Sequence, residues 1–171
     1  MKKLLVLISI LILAGGYLAA QTQTDSVKNR KMMKEFKFKG EKLFFKHAEK
    51  CLEVMEKTAS EKSVKGVAFV AFIPGNVTES WISRMKVVGK LINNKDNFLA
   101  VAGSKASEMA TTFLNSGSGK RALVKGELGF KGGIIMKVQY GYILASFSGG
   151  PPDTDAEISQ SGIQYLSEFY K

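Results

Sequence analysis

The sequence is poor in the residues that most often announce chemistry. Among its 171 residues there is one cysteine, Cys51, one histidine, His47, one tryptophan and three prolines. A single cysteine excludes an internal disulfide, and its place far from the N-terminus excludes a lipid-modified cysteine at a leader cleavage site. One Cys and one His cannot make a Cys/His zinc cluster. Neither G-x-x-x-x-G-K-[ST] nor G-x-G-x-x-G occurs, since Ser116-Gly117-Ser118-Gly119-Lys120 has neither spacing, so a nucleotide phosphate loop is disfavoured. Long apolar runs are lacking too: the N-terminal one, residues 4–14 (LLVLISILILA), is 11 residues, against about 20 for a bilayer-spanning helix.

That short run sits behind Met1-Lys2-Lys3 and is followed by small residues up to Ala20. It reads as a cleavable export signal, residues 1–20, with no stable membrane anchor and a periplasmic or secreted product. The remainder is long enough for one domain and too short for two ordinary ones. The chain carries 25 Lys/Arg against 15 Asp/Glu, net +10. In the cytoplasm such an excess would suit nucleic acid; export removes that partner and leaves a solvated basic surface. Residues 21–40 form a basic lead-in, mobile in its first part, in which Phe36 and Phe38 alternate with Lys37 and Lys39, a period-2 pattern that suits a strand on a sheet edge. The domain proper spans 41–171.

From Glu41 to Lys62 the residues Phe44, Ala48, Cys51, Leu52, Met55 and Ala59 share one helical face. Val67–Ile73 is continuously apolar and stopped by Pro74-Gly75-Asn76, as in a strand buried on both faces. Trp81, Met85, Val87 and Leu91 then alternate with polar residues, which predicts a second, antiparallel strand. A helix over Asp96–Leu114 carries Phe98, Ala102, Ala106, Met109 and Phe113 on one face, with Asp96 or Asn97 as cap and residues 115–119 as terminator. Residues 134–138 and 142–147 flank a turn near Tyr140-Gly141 and read as a hairpin. A final helix, with Asp153 as N-cap, carries Ile158, Gly162, Tyr165, Leu166 and Phe169 on one face. The order gives an α+β domain with an antiparallel sheet.

One residue breaks the pattern: Lys105 lies at the centre of an apolar stripe, where an uncompensated ammonium is costly to bury. Either its stem packs and its amine reaches out to water, or the amine meets a carboxylate or an anionic ligand in a pocket. Gly149-Gly150 ahead of a helix can present N–H groups to an anion or simply make a sharp turn, and Asp153, Asp155 and Glu157 nearby repel a phosphate. His47 sits at the flank of the first helix's apolar face, as a haem-iron ligand or a half-buried packing residue; Met85 and Met109 read as core. No nucleophile with a paired base is visible, so no catalytic set is assigned and the chain reads as a non-enzyme.

The stretch Gly132–Leu166 (GGIIMKVQYGYILASFSGGPPDTDAEISQSGIQYL) resembles the C-terminal signature of the GlcG/HbpS family of haem-binding proteins: a Gly-Gly hairpin, an apolar strand, S-G-G-x-P-x-x-D and a closing helix. Ser148-Gly149-Gly150, Pro152 and Asp155 match in order, and upstream Arg84-Met85 and Lys105-Ala106 fall on family pairs. The likeness covers roughly residues 43–167. It implies a profilin-like antiparallel sheet flanked by three main helices, assembly into homo-oligomers, and binding of haem or another tetrapyrrole. A ligand site at Lys105, Ser148, Gly149, Gly150 and Asp155 follows from it, with Lys105 paired to Asp155 or to a propionate; no family motif residue falls on His47, whose candidacy as a metal ligand rests on its own chemistry and its place on the first helix. Ile73-Pro74-Gly75, Lys86 and Ile134-Ile135 depart from the family pattern. Those departures favour one alternative, a non-catalytic oligomeric interaction module, while the family's glycolate association implies another, an accessory protein for a small, glycolate-like organic acid.

Overall fold

A computed structural model describes residues 28–171 in full, and the expected export signal lies outside them. The chain divides into two compact units, Met1–Glu35 and Phe36–Lys171. The sheet, both other helices and the whole core belong to the second. Helix α1 (Lys2–Glu61) is followed by β1 (Gly66–Pro74), β2 (Ile82–Val88), α2 (Phe98–Thr112), β3 (Gly133–Val138), β4 (Gly141–Ser148) and α3 (Pro152–Ser167). The four strands form one antiparallel sheet in the order β2-β1-β4-β3. The domain is α+β, as the apolar periodicities required.

Alternation along β1 divides the core in two. Ala68, Val70 and Phe72, with Ile143, Ala145 and Phe147 of β4, meet the stripe Phe44, Ala48, Cys51, Leu52 and Met55 of α1 and Ile158, Ile163 and Leu166 of α3. Ala71, Ile73 and Leu144 point the other way, onto Ala106, Met109 and Ala110 of α2, while Val67 meets Phe98 and Ala102. The central strand is therefore apolar on every residue because both of its faces are covered. Gly162 lets α3 lie against α1, where an added Cβ would stand 2.7 Å from Met55 Sδ.

The structure corrects three sequence expectations. Residues 36–39 are helical and not an edge strand. The four-residue spacing Phe36, Gly40, Phe44, Ala48 carries the inward face of α1 back to Phe36, whose ring packs on Tyr140 with centroids 5.7 Å apart, and Phe38 is left 69% exposed. In β2 the apolar residues Met85 and Val87, and Trp81 just ahead of the strand, face outward, at 37%, 41% and 36% exposure, so Met85 is not core. Their cross-strand neighbours place them on the α2 side of the sheet, and α2 packs over β1, β4 and β3. The opposite side of β2 meets α1 instead, with Lys86 bonded to Glu56 at 2.7 Å and the Arg84 guanidinium 5.8 Å from the Phe45 ring centre. Finally, Pro151 and not Asp153 occupies the N-cap of α3, and no side chain caps it. At α2 the cap is Asn97, whose side chain accepts from Ala100 N–H.

Candidate functional site

Lys105 and Asp155 lie 50 residues apart and meet at the end of the sheet where β4 runs into α3. Each is 3% exposed. Lys105 Nζ donates to Asp155 Oδ2 at 2.8 Å and to the Phe147 carbonyl at 2.7 Å, and the second carboxylate oxygen accepts from Gly150 N–H at 2.9 Å. The amine thus turns inward to a carboxylate, contrary to the reading in which it reaches out to water. Burial pushes the Lys105 ammonium below its ordinary range, with Asp155 opposing the shift; burial likewise pushes the Asp155 carboxyl up, opposed by Lys105 and by the N–H groups of Gly150 and Gly149. The pair ties α2, on one face of the sheet, to α3, on the other.

The backbone makes room for this crossing at Gly132. Its φ is +116°, and a Cβ there would stand 2.6 Å from Asp155 Cβ and 2.8 Å from Lys105 Nζ. Ser159 fixes the same stretch of backbone by donating to Gly132 O at 2.6 Å, and Ser146 ties β4 to α2 by donating to Ala102 O at 2.8 Å. The Gly149-Gly150 turn does hold an anion, and that anion is the chain's own Asp155 carboxylate.

Beside the pair opens a cavity of about 280 Å³, just below the range usual for small-molecule sites, about 300–1,000 Å³. Lys105, Ser148, Gly149, Gly150 and Asp155 all line it, together with Asn93, Asp96, Phe98, Val101, Phe130, Lys131 and Pro152. Five of the six residues singled out from the sequence are brought to one place. A second hollow of about 320 Å³ lies on the far side of Lys131 and Pro152, against residues 115–118.

His47 is not among them. Its ring stacks on Phe169 at 3.6 Å between centroids and 8° between planes, with Tyr165 at 6.4 Å. Tyr165 is about 15 Å along α3 from Asp155 at the usual rise per residue. Partial burial, and then the Lys46 charge, hold the His47 pKa below its ordinary value. Met109 is fully buried, as expected. Asp153 stays exposed in the first turn of α3, and Glu157 bonds to Lys62. No group of three His, Cys, Asp or Glu residues that could hold a metal occurs among the described residues.

Four wall residues, Asn93, Val101, Phe130 and Lys131, escaped sequence reasoning, the last two on the loop before β3. Phe130 is 51% exposed at the cavity, and Lys131 lines both hollows while its stem passes the Gly117 backbone. Neither falls on a periodic stripe or a motif, so only the folded loop shows them. Glu108 was missed for a different reason, as one carboxylate on an otherwise apolar face. It is 4% exposed, one oxygen accepts from Gly117 N–H at 2.9 Å, and the other has no hydrogen-bond partner. No family model matches the chain, and no curated protein matches it.

Proposed function

We propose that the chain is an exported, non-catalytic binding domain whose α2–α3 cavity takes the carboxylate-bearing edge of an organic ligand, with a haem or other tetrapyrrole propionate as the leading candidate. The observation that carries this reading is the convergence of the five family-motif positions on one cavity wall beside a lysine that is not spent on the fold. Lys105 uses two of its three donors on Asp155 and Phe147, while Lys131 is exposed and enters no ion pair among the described residues. Lys131 therefore supplies the attraction for a carboxylate, and Phe98, Val101 and Phe130 supply the apolar wall.

The cavity holds an edge of a tetrapyrrole but not its macrocycle, and its lining has no His, Cys or Met to ligate iron. Iron coordination has no place in the proposal. Haemin titrated into residues 21–171, which keep the whole core, is expected to give a saturable Soret shift that Lys131→Ala weakens. No saturable shift would remove the tetrapyrrole reading, and small carboxylates tested by calorimetry would then decide between an organic-acid site and none.

A second reading, the homo-oligomeric interaction module, is favoured by the bare apolar side of β2, where Trp81, Met85 and Val87 are continued by Leu91 and Ile92 at 40% and 54% exposure. Light scattering tests it: a ligand-free oligomer that Met85→Lys dissociates supports it, and a monodisperse monomer removes it.

A further inference from the structure

The connection between α2 and β3 holds exposed apolar side chains and exposed lysines side by side. Leu123, Val124, Leu128 and Phe130 are 51%, 56%, 47% and 51% exposed. Lys120, Lys125 and Lys131 are interleaved with them, all exposed and in no ion pair among the described residues. We propose that this loop, residues 118–131, is a docking surface for an anionic lipid bilayer.

The loop is built to hold those side chains out. Arg121 grips Glu127, at 2.5 Å from Nη2 to Oε1 and 2.7 Å from Nη1 to Oε2, and donates to Thr111 Oγ1 on α2 at 2.9 Å. Val124 and Glu127 close a turn, with Glu127 N–H donating to Val124 O at 3.0 Å and Val124 N–H to Glu127 Oε2 at 3.1 Å. Gly126, at φ +101°, permits it. Leu128 N–H donates to Ser104 Oγ at 2.9 Å, and the Leu123 side chain lies against Gly129, where a Cβ would be 2.8 Å away. The base is thus pinned to α2 while the leucines and lysines face solvent.

Chemistry distinguishes a bilayer from a protein partner. The buried centre of a protein interface is depleted of lysine, because each ammonium must be desolvated. At a membrane surface the opposite holds: apolar side chains enter the acyl boundary while lysine stems lie along it and their amines stay at anionic headgroups. An apolar tip threaded with unpaired lysines fits the second environment. The one acidic residue in the loop, Glu127, is already neutralised by Arg121, so nothing in it repels an anionic surface.

The test is flotation of residues 21–171 with vesicles of phosphatidylcholine containing phosphatidylglycerol, against vesicles of phosphatidylcholine alone. The chain is expected to float with the anionic vesicles at low ionic strength, less so as salt rises. Each of Lys120→Ala and Lys125→Ala should lower partitioning about fivefold, and Leu123→Asp with Leu128→Asp should abolish it. These positions are exposed, so circular dichroism should show the variants folded. Absence of flotation at low salt, or flotation that the variants leave unchanged, overturns the proposal. Self-association lost in the same variants without any vesicle would assign the patch to a second copy and overturn it as well.

Discussion

Replacing Asp155 by Ala removes the carboxylate that pairs with the buried Lys105 ammonium. Lys105 is 3% exposed and would keep only the Phe147 carbonyl, now at 2.7 Å, as an acceptor. Breaking one side of a buried pair typically costs about 3–5 kcal/mol, and Gly150 N–H would also lose its acceptor, so Asp155→Ala should lower unfolding stability by about 4 kcal/mol. Lys105→Met leaves the carboxylate with its Gly150 bond and should cost somewhat less, about 3 kcal/mol. In Lys105→Met/Asp155→Asn no buried charge remains and an amide oxygen still faces Gly150. That double variant should lie within about 2 kcal/mol of the parent, because a buried ion pair is worth little more than a well-packed neutral replacement. Urea melts of these three variants, and of Asp155→Asn alone, which completes the cycle with Lys105→Met, measure all of this. The reasoning fails if Asp155→Ala costs under about 1 kcal/mol, or if the single losses add without coupling.

Other consequences follow from the same geometry. Gly132→Ala should destabilise by about 2–3 kcal/mol in urea melts, since a side chain at φ +116° would be driven against Asp155 and Lys105. The Glu127 carboxyl, held down to about 2 by its hydrogen bonds from Arg121 and Val124, should titrate by carbon NMR near that value and not near 4.5. Because the folded pKa is depressed, the support it gives the loop is present above about 4.5 and lost as pH falls through about 2, and Glu127→Gln should speed tryptic cleavage after Lys125 at neutral pH. Cys51, buried among α1 and α3 with its thiol pushed up to about 12 by burial and donating to Gly162 O at 3.3 Å, should resist a thiol reagent until the protein unfolds. Rapid labelling of the native protein would contradict that packing.

The sequence made the scaffold readable where one physical requirement acts along a single element. The stripe of α1 and the unbroken apolar run of β1 needed no knowledge of their partners, because burial on one face or two leaves its own period. Lys105 was conspicuous for the same reason, as a charge where the stripe should continue. Its partner was not readable from periodicity, since pairing across 50 residues depends on how α2 and α3 converge on the sheet end; it was suggested only by the resemblance noted for residues 132–166. Local signals failed where tertiary contacts overruled them. Phe36 and Phe38 alternate like a strand, yet the spacing from Phe36 to Gly40 and Phe44 sets the helix, and β2 turns its apolar alternates outward because Arg84 and Lys86 find partners on α1. Lys131 and Phe130 belong to a loop, where no period exists to mark them.

The central claim, that ligand enters the α2–α3 cavity and not the aromatic stack at His47, is tested most directly by paramagnetic broadening from haemin in the proton–nitrogen NMR spectrum. The amides of Val101, Lys131, Gly149 and Gly150 should broaden first, in proportion to added haemin, while those of His47, Tyr165 and Phe169 remain sharp. Broadening confined to the His47 stack, or no broadening at either place, would contradict the account.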